Sequence, residues 1–299
     1  MDAMEVKAIV EASGGLLLNG NSALRVSRIV RDSREDCSRA LYVPLAGERF
    51  DGHDFIEQAA AAGAVGAFIS KDIKANLPKD FILIRVADTL KAYQAVARAS
   101  RLRYNVSVIA ITGSCGKTST KNLLSNVLGN RKVARTEKNE NNEVGVPLTL
   151  LRMDGETQAA IIECGMRAKG EIADLASIAR PTHGLITNIE STHIGRLGSL
   201  EAIADAKGEL LEALGRDNFA FLNADNAWTP RLMKKTEAKI TTFGIEAGDV
   251  RATDIHFSLD GARFTLETPA GTIEAGVPFP GRGTVYNAAA AAAVALSLG

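Results

Sequence analysis

The sequence predicts an α/β protein of two parts. A small N-terminal α/β domain over residues 1–104 leads into a central domain over 105–299, built on a mostly parallel, doubly wound sheet with a small antiparallel β extension. Three observations predict this. After residue 105, short β-rich apolar runs alternate with helical patterns. One such run, "VIAIT", breaks at a Gly/Ser cluster and restarts as a helix in "GSCGKTSTKNLL". After Gly248 the alternation gives way to short segments with turn signals at Asp260-Gly261 and Ala270-Gly271.

The chain has 299 residues, enough for two cores. In the first domain the patterns predict strands at 27–30, 41–43, 65–69 and 81–86, and helices at 55–62 and 89–104. The last helix ends in a charged stretch, 98–103, that suits a hinge between domains. In the second domain strands are expected at 106–112, 159–163, 184–189, 219–223 and 239–243. Helices are expected at 117–128, 170–178, 199–214 and 229–235. The hairpin set follows, and an alanine-rich helix over 284–298 ends the pattern.

Bulk properties exclude several classes. Lys+Arg and Asp+Glu are each 35, so the formal net charge is +0 and no general footprint for nucleic acid exists. Any phosphate binding must be local. The apolar runs are too short or interrupted to cross a bilayer, and the start, with Asp2, has no secretory core. The 3 cysteines, Cys37, Cys115 and Cys164, form no C-x-x-C motif. That argues for a reducing, cytoplasmic setting and against a disulfide frame or zinc site.

Strand, Gly-rich loop and helix N-terminus together are what phosphate binding needs. Glycines let backbone N–H groups turn toward an anion, and the helix end adds partial positive charge. In Thr112-Gly113-Ser114-Cys115-Gly116-Lys117-Thr118, Lys117 is placed for the β/γ-phosphates and the Thr118 hydroxyl for Mg²⁺. The G-x-x-x-x-G-K-[ST] pattern fails at one position, where Ile111 replaces the first Gly. Cys115 is either a small filler or, at a helix N-terminus beside a lysine, a thiol of lowered pKa.

Three further residues suggest the chemistry. Glu163 ends a buried strand, "AAIIE", on the sheet edge where such folds bind ligands; it is a metal ligand or a solvated strand-end acid. His193 follows "GLITNIEST" on the same edge, as a site residue or an idle loop histidine. Lys207 lies on the apolar stripe of Leu200, Ile203, Ala204, Leu210, Leu211 and Leu214. It is a snorkelling lysine or a desolvated amine able to capture CO₂ as a carbamate.

These pieces resemble the Mur ligases, ATP-dependent amino-acid ligases of peptidoglycan synthesis. The matching stretches are "TGSCGKTSTK", "NENNEVGVPLTLL", "IIECGMRAKGEIADL", "TNIESTHIGRLGSLEAIADAKGELL" and "YNAAAAAAVALSLG". Upstream, "DSRE" and "ALYVPLAGERFDGHDFIEQAAAAGA" are similar to the domain that holds the UDP-sugar in the E and F types. The "NNEVGVPLTLL" stretch and the spacing of "GEIADL" to "RPTHGLITNI" are closest to the F type.

The resemblance implies a reaction. ATP phosphorylates the terminal carboxylate of UDP-MurNAc-tripeptide, and the amine of D-alanyl-D-alanine displaces phosphate from the acyl phosphate. The runner-up is the E type, which adds the third peptide residue. A non-catalytic nucleotide- or UDP-sugar-binding module is the alternative from another class. The resemblance also assigns residues. Gly113, Ser114, Cys115, Gly116, Lys117, Thr118 and Ser119 match the ATP loop, and Asn287 matches an asparagine near the adenine. Thr118, Glu163, His193 and Lys207, carbamylated, match the ligands of two Mg²⁺ ions, with Lys117, His193 and Lys207 catalytic. Asn141 and Asn142 match substrate-side asparagines, and Ser33 and Arg34 line the uridine-diphosphate pocket. The family reads Gly-Arg-His-Asn where this chain has Gly281-Arg282-Gly283-Thr284. The family's third, Rossmann-like domain would begin where the sequence stops at Gly299, and a monomer is expected.

Overall fold

A computed structural model of the chain describes residues 1–47, 50–192 and 194–299. It separates into Met1–Asn105 with Leu150–Gly155, and Val106–Thr149 with Glu156–Gly299.

The first unit runs β1 (Met4–Glu5), α1 (Val6–Ser13), β2 (Leu16–Asn19), β3 (Arg25–Val26), β4 (Arg28–Val30), β5 (Ala40–Tyr42), α2 (Ile56–Ala61), β6 (Gly66–Ile69), β7 (Ile82–Arg85) and α3 (Thr89–Arg101). A 3₁₀ turn, Gly52–Phe55, leads into α2. Its five-stranded sheet has the order β2-β7-β6-β5-β4, parallel from β4 to β7, with β2 antiparallel at one edge. Tyr42, Ile56, Ala59, Ile69 and Phe81 are buried together beneath α2. The strand expected at 27–30 is β4, which pairs with β5; the two-residue β3 just before it, paired with β1, was not expected. The α3 helix starts on Asp88, whose carboxylate accepts from Leu90 and Lys91 N–H, and ends at Arg101, three residues short of expectation. Arg101 is buried and donates to Tyr104 O at 2.9 Å, so part of the charged stretch is tied into the unit.

The second unit contains β8 (Ser107–Thr112), α4 (Lys117–Val127), β9 (Val133–Arg135), the start of α5 (Gly145–Leu151), β10 (Ala159–Glu163), α6 (Glu171–Ala179), β11 (His183–Ile186), α7 (Ile194–Leu197), α8 (Leu200–Glu212), β12 (Phe219–Asn223), α9 (Thr229–Met233), β13 (Lys239–Gly244), β14 (Val250–Ser258), β15 (Gly261–Thr268), β16 (Gly271–Val277) and α10 (Arg282–Ser297). Its nine strands have the order β16-β15-β14-β13-β12-β11-β8-β10-β9. From β9 to β14 all pairings are parallel; β14, β15 and β16 are antiparallel. The parallel core strands β10 and β11 are buried at every position, which is why they read as apolar runs without alternation.

One difference from the sequence reading concerns the site. The strand expected to reach 189 ends at Ile186, because Asn188 O then accepts from Ser114 N–H of the Gly-rich loop instead of continuing the ladder. The antiparallel segments form the expected extension: β14 pairs with β13 at Phe243↔Val250, and β15 and β16 continue the main sheet from it. The alanines of α10 let that helix lie close against α4 and the sheet, burying Ala289, Ala290 and Ala293 with Leu124, Phe221 and Phe243. Each fully buried large side chain there contributes roughly 2 kcal/mol. Among the described residues no helix is long and apolar enough to cross a membrane.

Between β10 and β11 lies β8, and the chain crosses to opposite sides of it, so the carboxyl ends of the three form the crevice of a doubly wound sheet. His183 stands at the other end of β11. Its ring stacks on Phe219 at 5.0 Å, Nδ1 lies 2.7 Å from Thr182 Oγ1, and Nε2 has no partner among the described residues. Burial pushes its pKa from 6.5 down to about 4. Above 6.5 the ring is neutral folded and unfolded; as pH falls from 6.5 to about 4 only the unfolded chain takes the proton, and stability is lost. A His183→Phe variant should therefore lose less stability than wild type across that interval, with a constant difference above it, as measured by urea unfolding at a series of pH values.

Candidate functional site

Two glycines shape the loop between β8 and α4. Gly113 has φ 149° and Gly116 φ 85°, both in the region that disfavours a Cβ. A Cβ on Gly113 would run into Thr187 Oγ1, and one on Gly116 into the Asn287 side chain. Gly116 is the N-cap of α4, and no side chain caps that helix start, so its first-turn N–H groups are suited to an anion. Asn188 and Glu190 fix the loop's other side: Ser114 N–H donates to Asn188 O at 3.0 Å and Ser114 Oγ to Glu190 O at 3.0 Å. Lys117 lies across the loop, Nζ donating to Gly113 O at 2.8 Å. Ser119 is exposed on the first turn, and Thr120 Oγ1 donates to Asn287 Oδ1 at 3.2 Å, holding α10 behind the loop.

Glu163 sits at the end of β10, beside Ile111 of β8, and is buried. Thr118 Oγ1 donates to its Oε2 and Asn141 Nδ2 to its Oε1, both at 2.9 Å. Lys121 Nζ is 3.9 Å from Oε2 and donates to Thr136 O at 2.7 Å. A hydroxyl and a carboxylate oxygen meet at the start of the phosphate-loop helix, and such hard oxygens fit Mg²⁺. Among the described residues no group of three or more His, Cys, Asp or Glu could form an all-protein cage. Mg²⁺ at phosphates needs none, since waters and phosphate oxygens fill its shell. Asn142 faces elsewhere: its Oδ1 accepts from Val144 and Gly145 N–H and caps α5.

Helix α8 starts on Ser199, whose Oγ accepts from Ala202 N–H. Its inner face buries Ile203, Ala204, Leu210 and Leu211, and Lys207 among them at 2% exposure. Burial, reinforced by the Lys117 ammonium, pushes the Lys207 pKa from 10.5 down to about 7. Two residues on, Glu209 accepts from Gly170 N–H at 2.8 Å and Ala173 N–H at 3.2 Å, capping α6. His193, expected on this edge, lies outside the described residues. In Cys115 the expectation of a lowered pKa is corrected: partial burial raises it, the facing Glu190 adds to this, and Lys117 does not outweigh them. In the first unit, Ser33 is buried and donates to Gln58 Oε1 at 3.1 Å. Arg34 forks onto Asp32 at 2.8 and 2.6 Å, holding that carboxyl down at about 2.

Sequence reasoning missed Lys121 and Asn188. Lys121 has a signal, a second lysine one helical turn after Lys117; Asn188 has none, because only the chain reversal after β11 brings it to the loop.

Residues 111–295 match the Mur ligase middle domain, and residues 25–105 match the catalytic domain of the Mur ligase family. A UDP-N-acetylmuramoyl-tripeptide–D-alanyl-D-alanine ligase of Synechocystis sp. is 38% identical over 301 residues, covering 100% of this chain and 64% of the relative. A protein of the same name from Escherichia coli is 38% identical over 95% of this chain and 63% of its own length. The crystal structure of a MurF from Acinetobacter baumannii matches with a TM-score of 0.93 at 33% identity, over 100% of this chain and 66% of that one. A MurF ligase from Thermotoga maritima in complex with ADP matches with a TM-score of 0.81 at 28% identity, over 91% and 63%. The chain thus spans 64% and 63% of these two curated relatives' lengths. With a domain match across most of its residues and relatives 38% identical over 95–100% of its length, the chain belongs to the Mur ligase family.

Proposed function

We propose that the protein acts in peptidoglycan precursor synthesis as an ATP-dependent ligase, joining D-alanyl-D-alanine to UDP-MurNAc-tripeptide through an acyl phosphate. The observation that carries this is the Thr118–Glu163 contact at the start of the phosphate-loop helix, in a chain 38% identical to ligases of that name. The physical problem is charge, because an anionic carboxylate must approach an anionic γ-phosphate. The Lys117 ammonium and the first-turn N–H groups of α4 supply fixed positive charge toward the phosphates. Bound Mg²⁺, held by Thr118, Glu163, His193 and the Lys207 carbamate as two ions, would neutralise both reactants. Positioning and electrostatics supply most of the rate in such transfers, and no side-chain nucleophile is needed.

Lys207 suits its part because its lowered pKa leaves a substantial neutral fraction near pH 7, and the neutral amine can add to CO₂, forming the N–C bond and releasing a proton. Asn141 keeps the Glu163 carboxylate turned toward Thr118. The first unit, with Ser33 and Arg34, would hold the uridine diphosphate, and Asn287 would lie on the adenine side. Three free cysteines and a soluble nucleotide co-substrate fit a cytoplasmic enzyme.

Supplied with ATP, Mg²⁺ and UDP-MurNAc-tripeptide, the protein should release phosphate with D-alanyl-D-alanine and only background with a diamino acid. A diamino-acid preference on the dipeptide precursor would overturn the assignment in favour of the E type. Lys117→Ala should weaken ATP binding by roughly tenfold to a hundredfold in calorimetric titration.

Lys207→Ala should lose turnover, and added short carboxylic acids should partly restore it in the same assay. The buried amine also gives a pH signature in buffer free of CO₂ and Mg²⁺. Below about 7 Lys207 is charged folded and unfolded, and folding bears the whole desolvation cost; between about 7 and 10.5 the folded protein releases the proton first and stability rises. A Lys207→Met variant should therefore be more stable than wild type near neutrality, with the gap closing toward 10.5 in chemical unfolding.

A further inference from the structure

In the first unit, the parallel strands β4, β5 and β6 end on one edge, and polar residues follow each. Asp32, Ser33 and Arg34 follow β4, a loop leading to Asp51 and His53 follows β5, and Ser70 and Lys71 follow β6. A hydrogen-bond network joins these strand ends. His53 is buried, its Nδ1 is 2.6 Å from Asp51 Oδ1, and its Nε2 accepts from Ser70 N–H at 3.1 Å. A backbone amide only donates, so Nε2 holds a lone pair and the ring proton sits on Nδ1, facing the carboxylate. Ser70, His53 and Asp51 have the order of a hydrolytic triad. The lone pair that would take the serine proton is engaged by the amide, however, and Ser70 Oγ stands farther off at 3.3 Å. The arrangement therefore serves position rather than proton transfer.

What it positions is the stretch from Asp51 into α2. Asp51 Oδ1 also accepts from His53 N–H at 2.9 Å, and Oδ2 takes Lys71 Nζ at 2.7 Å. Gly47 N–H donates to Phe50 O at 2.9 Å and Gly52 N–H to Leu45 O at 3.0 Å. Gly52 is packed so closely that a Cβ would stand 2.7 Å from Leu45 N. The α2 helix begins three residues after His53, and its Gln58 takes the Ser33 hydroxyl. One buried ring thus connects the ends of β5 and β6 and, through α2, the end of β4.

We propose that His53 is the positioning residue of the ligand pocket on this edge: a neutral ring with its proton fixed on Nδ1, it ties Asp51 and the start of α2 to the end of β6 and so preforms the surface that receives the uridine diphosphate of the substrate. The proposal rests on the reading that Ser33 and Arg34 line that pocket.

Two half-substitutions separate the ring's two contacts. His53→Asn keeps a donor for Asp51 and gives up Ser70; His53→Gln keeps an acceptor for Ser70 N–H and gives up Asp51. Each should weaken calorimetric binding of UDP-MurNAc-tripeptide by about fivefold to tenfold and leave ATP affinity unchanged. Arg34→Ala is the control for the pocket itself. If it binds the UDP-sugar like wild type, the pocket reading fails and the proposal with it. If it weakens binding while both His53 variants bind normally, or lose ATP affinity in parallel, the positioning role alone is overturned. Nitrogen-15 shifts of the wild-type ring near neutral pH should report protonated Nδ1 and bare Nε2; the opposite tautomer would overturn the proposal whether or not the variants fold.

Discussion

A carboxylate at the end of a buried strand needs partners, and this requirement organises the second unit's active edge. Glu163 is 3% exposed, and isolated burial of such a charge would be prohibitive. Three groups on two segments answer it: Thr118 at the start of α4, Lys121 one turn further along the same helix, and Asn141 from the stretch before α5. Because the two donors, Thr118 and Asn141, belong to different stretches and Lys121 adds its charge at 3.9 Å, satisfying the acid also ties the helix, the stretch before α5 and the strand together. The position where a cation would sit is thereby built from groups that already hold a negative oxygen in place.

Sheet topology supplies the second constraint. Neighbouring strands β10, β8 and β11 deliver Glu163, the Gly-rich loop and Asn188 to one crevice. Against the opposite side of the loop, α10 presents Asn287, and its alanines make the close approach possible. Farther along the edge, Asp225 after β12 accepts from the N–H groups of Ile245, Glu246 and Ala247 and from Tyr286 OH, fastening the β13–β14 connection to α10. The departure at Gly281-Arg282-Gly283-Thr284 is followed by this Tyr286 anchor and by Arg282 paired with Glu246.

What the sequence made legible was local. The phosphate loop is readable because Gly116, Lys117 and Thr118 are adjacent, and Lys207 because a charge on an apolar stripe breaks the helical period. Strands buried on both faces announce themselves as apolar runs. Elements too short to show a period did not: β9 has three half-buried residues, and α1 is a single short helix closed by Gly14 at φ 64°. Asn142 and Asn141 are neighbours in sequence, yet one caps a helix and the other meets Glu163, a difference set by chain direction after β9 that residue type does not encode. The early end of β11 was hidden for the same reason: its competing partner, Ser114, is more than seventy residues away.

Cys115 has a consequence of its own. Its thiol sits in the phosphate loop with Asn188 and Glu190 around it, and its proton is held more firmly than in an ordinary cysteine. Peroxides and electrophiles attack the deprotonated sulfur. Partial burial first, and the neighbouring acid second, thus leave less of this thiol in the deprotonated form that such reagents attack.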